Sequence, residues 1–274
     1  MGTERRFIDH NDRDSLSKTL FGHRRATTDN QSSSTALTMK LAILDADILY
    51  DSLKPRYDSY GVMFEQLLAR PDDQLQMSVF CVIEGEYPPD PSLFDAFLVT
   101  GSKFDSFADD AWIEALRVYV RRLYAEGRPM VGVCFGHQLL AHALGGRAGR
   151  SDAGWGLGVM QYQLDQQPGF VGSRTSVNLI VSHRDQVLTL PPDAQRLWSN
   201  DFCPNAAFVI PGKVLAIQGH PEFSVDYARD LLALRADQLP PAMLEKVDAS
   251  FATPHDGDLV AGWIRQFLEQ NINK

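Results

Sequence analysis

The chain has 274 residues, 44% of them hydrophobic and 22% charged, which is enough apolar material for one sizeable core. Its formal charge of -9 argues against a nucleic-acid backbone as partner, because that would call for a basic face or stripe. Cys81, Cys134 and Cys203 stand far apart with no C-x-x-C pair, which argues against a disulfide framework or a structural zinc and fits a reducing cytoplasm.

Residues 1–38 are rich in Asp, Arg, Ser, Thr and Asn and show no apolar period, so they read as a disordered leader ahead of one domain over 39–274. The acids Glu4, Asp9, Asp12 and Asp14 argue against a mitochondrial presequence, and no apolar core of a secretory signal occurs. No stretch approaches the roughly 18 to 20 apolar residues of a membrane span, so the expected protein is cytoplasmic, with no membrane partner.

From Lys40–Asp45 onward, apolar runs of strand length alternate with helical periods. The strands are expected at 77–83, 94–100 and 129–133, with a helix over 110–126 whose Trp112, Leu116, Tyr119, Val120 and Leu123 share one apolar face. This alternation predicts an α/β fold with a mostly parallel central sheet wrapped by helices. Beyond Gly146, short strands at 158–164, 176–181, 206–210 and 214–218 alternate with Gly, Pro and Asp turns, implying a hairpin-rich second half on the same sheet. Helical periodicity returns at 225–234 and 258–268, predicting C-terminal helices over one face.

The chemistry concentrates in two places. Val131-Gly132-Val133-Cys134-Phe135-Gly136-His137-Gln138 reads as strand, sharp turn and helix, a G-x-C-x-G counterpart of the nucleophile elbow. The flanking glycines let the backbone fold tightly under the cysteine, and the following helix aims its N-terminal N–H groups at the sulfur. Free cysteine is usually buried and inert, as Cys81 in its apolar strand should be; two glycines in register around Cys134 reverse that expectation. A cysteine nucleophile needs a base and the base an orienting group, and Gly219-His220-Pro221-Glu222 supplies both. Residues two apart in extended backbone point the same way, which sets the imidazole of His220 beside the carboxylate of Glu222. The glycines of Gly154-Trp155-Gly156-Leu157-Gly158 are no dinucleotide loop, because a strand follows where a helix would be required.

G-V-C-F-G-H-Q-L-L at 132–140 and Q-G-H-P-E-F at 218–223 resemble the class I glutamine amidotransferase family. The resemblance implies a three-layer α/β/α sandwich of flavodoxin-like order and a Cys134-His220-Glu222 triad that forms a thioester with a glutamyl group. It implies no cofactor and no metal. An oxyanion hole is expected from the N–H of Phe135 and from the loop after Thr100, where Ser102 and Lys103 stand in place of the family's usual Gly and Pro; the second donor is Gly101 or Ser102. By the same resemblance Gln138, His183, Arg184 and Asp185 would hold the amino-acid end of a small γ-glutamyl substrate. The leaving group stays open between ammonia delivered to a separate synthetase partner and the amine of a γ-glutamyl peptide or conjugate, the latter favoured slightly by Asp105 and Asp110-Ala111-Trp112-Ile113. A non-enzymatic binding or regulatory module on the same fold would need a damaged triad.

Overall fold

The computed structural model describes residues 38–71 and 74–272 of the chain. Contacts gather Leu37–Lys274 into one compact unit. The leader expected over residues 1–38 lies, except for Thr38, outside the described residues.

Among the described residues, eleven strands and seven α-helices follow one another. The first half runs β1 (Met39–Asp45), α1 (Lys54–Tyr57), α2 (Tyr60–Leu68), β2 (Leu75–Cys81), β3 (Ala96–Val99), α3 (Ala111–Ala125), β4 (Met130–Val133) and α4 (Phe135–Ala143). The second half runs β5 (Arg147–Arg150), β6 (Gly156–Leu164), β7 (Ser176–His183), β8 (Asp185–Thr189), β9 (Gln195–Ser199), β10 (Ala207–Ile210), β11 (Val214–Ile217), α5 (Val225–Ala233), α6 (Pro241–Ser250) and α7 (Gly257–Asn271).

Nine strands form one sheet in the order β2-β1-β3-β4-β11-β10-β9-β6-β7, while β5 and β8 pair separately. β2, β1, β3, β4 and β11 are parallel neighbours, the flavodoxin-like half; β10, β9, β6 and β7 then pair antiparallel, as the turn-rich sequence after Gly146 predicts.

Period-two alternation in the parallel strands supplies both outer layers. Leu41, Ile43, Leu98, Val131 and Val133 face Phe64 of α2 and Trp263, Ile264 and Phe267 of α7. Their alternates Ala42, Leu44, Phe97 and Val99 face Leu116 and Val120 of α3 and Leu139 and Leu140 of α4. A third cluster packs α5 and α6 beside β6 and β7 through Leu157, Ile180, Phe223, Tyr227, Leu231 and Val247.

The helix expected over 110–126 spans Ala111–Ala125 with Asp110 at its N-cap. The strand expected over 77–83 instead starts at Leu75 and stops at Cys81, where the chain enters a short 3-10 turn over Val82–Glu84 closed by Gly85 in the left-handed region. Helices α1, α2 and α6 and strands β5, β8 and β9 were not anticipated.

Candidate active site

β4 is a central strand, paired on both sides, and it ends at Val133. Cys134 follows with φ 52° and ψ −103°, one of two non-glycine residues with positive φ among those described, and Phe135 begins α4. The two glycines are required by space. A Cβ on Gly132 would come within 2.6 Å of the carbonyl oxygen of Gly136, and one on Gly136 would overlap the carbonyl oxygen of Val99. Hydrogen bonds from Cys134 N to Ile217 O (2.8 Å) and from Gly136 N to Thr100 O (3.1 Å) tie the turn to β11 and to the end of β3.

His220 lies three residues beyond β11, and its N–H reaches across to Ile180 O (2.8 Å) in a single antiparallel bridge to β7. Its ring is buried. The Nδ1–H donates to Glu222 Oε1 at 2.7 Å, and the ring lines one depression together with Cys134. Phe223 stacks on the imidazole at 3.8 Å between centroids, with Tyr60 at 6.2 Å, so both α2 and the segment before α5 fix its plane. Burial alone would lower the His220 pKa; the adjacent charges of Glu222 and Cys134 more than offset it and push it up to about 10. The Glu222 carboxylate thus favours the protonated ring.

The loop after β3 closes against this pair. A Cβ on Gly101 would lie 2.9 Å from His220 Cε1 and 3.7 Å from the Cys134 Cβ, so only glycine fits there. Ser102 lines the cleft with Cys134. Phe135 occupies the first helical position, where an N–H has no partner inside the helix.

Gln138, His183, Arg184 and Asp185 line the same cleft. Gln138 is buried, and its amide nitrogen is committed to the protein, donating to Asp185 O (2.8 Å) and Gln218 Oε1 (3.1 Å), which leaves only its oxygen for a ligand. His183 ends β7 and donates Nδ1–H to Asp185 O (3.0 Å). Burial lowers its pKa to about 4, so it is neutral, and its Nε2, which has no protein partner, is buried against Gly156 of β6. Asp185 opens β8 and is ion-paired to Arg150 Nε (2.8 Å); burial and the neighbouring Asp105 still push its carboxyl up to about 6. Arg184, between the two strands, lays its guanidinium 5.0 Å from the centre of the Trp155 ring.

Four cleft residues were not singled out for binding by the sequence. Trp155 lies just before β6, and Arg235, just after α5, covers its ring at 4.9 Å while hydrogen-bonding Ser182. Asp47 is buried after β1 and pairs with Lys103 Nζ at 3.0 Å. Nothing in their local pattern marks these positions; they meet only because the loops at one end of the sheet converge, the usual place for sites in open α/β folds.

Residues 101–233 match the family model for glutamine amidotransferase class-I. Gamma-glutamyl peptidase 2 of Arabidopsis thaliana is 30% identical over 199 residues, which cover 70% of this chain and 79% of that protein. The chain belongs to the class I glutamine amidotransferase family. A second relative, gamma-glutamyl peptidase 4 of the same plant, is 32% identical, with 65% of this chain and 74% of that protein covered. The glutamine-hydrolysing GMP synthase of Christiangramia forsetii is 33% identical over 60% of this chain, which spans only 31% of that longer protein. Among solved structures, a glutamine amidotransferase from Thermotoga maritima superposes with a TM-score of 0.67 at 16% identity over 85% of this chain and 99% of its own, showing the shared fold.

Proposed function

We propose that the chain is a cysteine-dependent hydrolase of γ-glutamyl amides, with a γ-glutamyl peptide as its substrate class. The observation that carries this reading is the placing of Cys134 in the lining of a cleft with His220 beside it, and Nδ1 of His220 held 2.7 Å from the Glu222 carboxylate. An imidazolium beside the sulfur suits attack by the thiolate, the nucleophilic form. The sulfur adds to the γ-carbonyl, and the N–H of Phe135 with one N–H of Gly101 or Ser102 receives the oxyanion. The C–N bond then breaks as His220 passes its proton to the leaving nitrogen, leaving a thioester. His220 next takes a proton from water, the hydroxyl adds to the thioester carbonyl, and the thiolate departs with glutamate released. Glu222 holds the tautomer and supports the imidazolium charge.

In the cleft lining, the guanidinium of Arg184 suits the substrate's α-carboxylate. No cofactor or metal has a part in these steps. The choice of leaving group rests on the relatives: γ-glutamyl peptidases match over three quarters of their length, whereas the GMP synthase matches over about a third. That second relative supports the other reading, a glutaminase that hands ammonia to a separate synthetase.

The test is intact mass spectrometry after exposure to a glutamine-mimicking diazo-ketone, with Cys134→Ala as control. One adduct, mapped to Cys134 and absent from the variant, is the expected result. Labelling at Cys81 or Cys203 would sink the mechanism, and no labelling together with no hydrolysis of any γ-glutamyl amide would favour a binding module on this fold.

A further inference from the structure

The loop that follows β3 has little of its own to hold it still. Gly101 has no side chain, because a Cβ there would lie 2.9 Å from His220 Cε1, and glycine backbone is the freest to move. Ser102 turns its hydroxyl back on the loop, accepting from Phe104 N at 3.2 Å. Among the described residues, neither the N–H of Gly101 nor that of Ser102 has a protein acceptor, as a donor kept for an oxyanion requires.

The anchors of this loop come from the exit of β1, the strand paired with β3. At the near end, Thr100 Oγ1 accepts from Ala46 N at 2.9 Å, and its own proton lies between Asp45 Oδ1 (3.2 Å) and Gly101 O (3.1 Å). At the far end, Lys103 Nζ pairs with Asp47 Oδ1 at 3.0 Å and donates to the carbonyl of Ile48. The same carboxylate oxygen accepts from Ile48 N at 2.9 Å, so the lysine is gripped by two consecutive residues. Asp47 is buried, whereas the Lys103 side chain keeps 30% of its exposure. Burying a carboxylate is costly, and an ion pair often stabilises no more than an apolar side chain in the same space, so stability alone does not explain Asp47. Lys103 also lines both depressions at Cys134, which makes direct contact with substrate its competing role. A lysine meant for a substrate carboxylate gains nothing from a resident carboxylate that competes for it.

Resting on the hydrolase reading above, we infer that Asp47 is a positioning residue that acts through Lys103 to hold the Gly101-Ser102 backbone where one N–H meets the oxyanion. Asp45 and Thr100 fix one end of the loop and the Asp47–Lys103 pair the other.

The experiment measures kcat and KM in the full chain, in Asp47→Asn, in Lys103→Gln and in the double variant. The substrate is glutamine or γ-glutamylglycine, whichever wild type hydrolyses faster. Each single variant is expected to lower kcat about 10- to 100-fold with KM within about threefold, as a displaced oxyanion donor would. The double variant should be no slower than the slower single one, because either change breaks the same link. Lys103→Arg, which keeps the charge, should recover part of kcat. A kcat for Lys103→Gln within about threefold of wild type would overturn the inference. A rise in KM at unchanged kcat would also overturn it, by making Lys103 a substrate ligand. Losses that multiply in the double variant would overturn it too, because the two residues would then act separately. Should Asp47→Asn fail to fold, Lys103→Gln, altered at a partly exposed side chain, decides alone. If wild type hydrolyses neither substrate and Cys134 takes no electrophile, the hydrolase reading falls and this one with it; an active wild type with indifferent variants removes only this one.

Discussion

Cys134 sits in a backbone conformation that side chains rarely adopt, φ 52° and ψ −103°. Such strain costs on the order of 1–3 kcal/mol and persists where surrounding contacts dictate it. Replacing the cysteine by glycine should relieve part of that strain, so Cys134→Gly is expected to be more stable than Cys134→Ala by about 1 kcal/mol in urea titrations, although both lack the sulfur. His220 gives a pH signature. Its folded pKa is raised from the ordinary 6.5 to about 10, so its contribution to stability is complete below about pH 6.5 and is lost as pH rises towards 10. The melting-temperature gap between wild type and His220→Gln should therefore narrow between pH 6 and pH 10. Glu222→Gln should lower kcat by about 10²- to 10⁴-fold with little change in KM, because the carboxylate acts on the imidazolium and not on the bound substrate.

The elbow shows how an element is specified by what it cannot contain. Gly132 and Gly136 approach backbone carbonyls so closely that a single added methyl forces movement of β4 against α4 or of α4 against β3. Gly136→Ala is expected to destabilise the fold by about 1–3 kcal/mol and to slow electrophile labelling, read by denaturant midpoint and by adduct formation over time. This element was legible because strand, glycines and helix are contiguous in sequence. His220 and Glu222 lie two residues apart and do meet, at 2.7 Å, but across a turn at Pro221-Glu222 rather than along the extended backbone expected from the sequence. Helix α2 was not legible: Tyr60–Leu68 is short, and its N-cap Ser59, which accepts from Val62 N at 3.2 Å, is one serine among many polar residues. Its role appears only in space, where Tyr60 packs near His220 and hydrogen-bonds Tyr227 at 3.0 Å.

At the scale of the molecule, the sheet carries the parallel half that holds the elbow and an antiparallel half that delivers His183 at the end of β7. α7 seals one face, with Trp263 packed 5.8 Å from Trp198 of β9. Trp263→Ala is expected to cost about 3–5 kcal/mol, seen as a shifted urea midpoint, because it opens a cavity between helix and sheet. The sequence alone determined the layered α/β class, the elbow and the His-Pro-Glu segment, since each depends on local period, turn chemistry or neighbours in the chain. Only the tertiary structure decided the walls of the cleft. Asp47, Lys103, Trp155 and Arg235 come from four loops, and their meeting depends on strand order and helix packing, which bring together residues as many as 188 positions apart without leaving a local pattern.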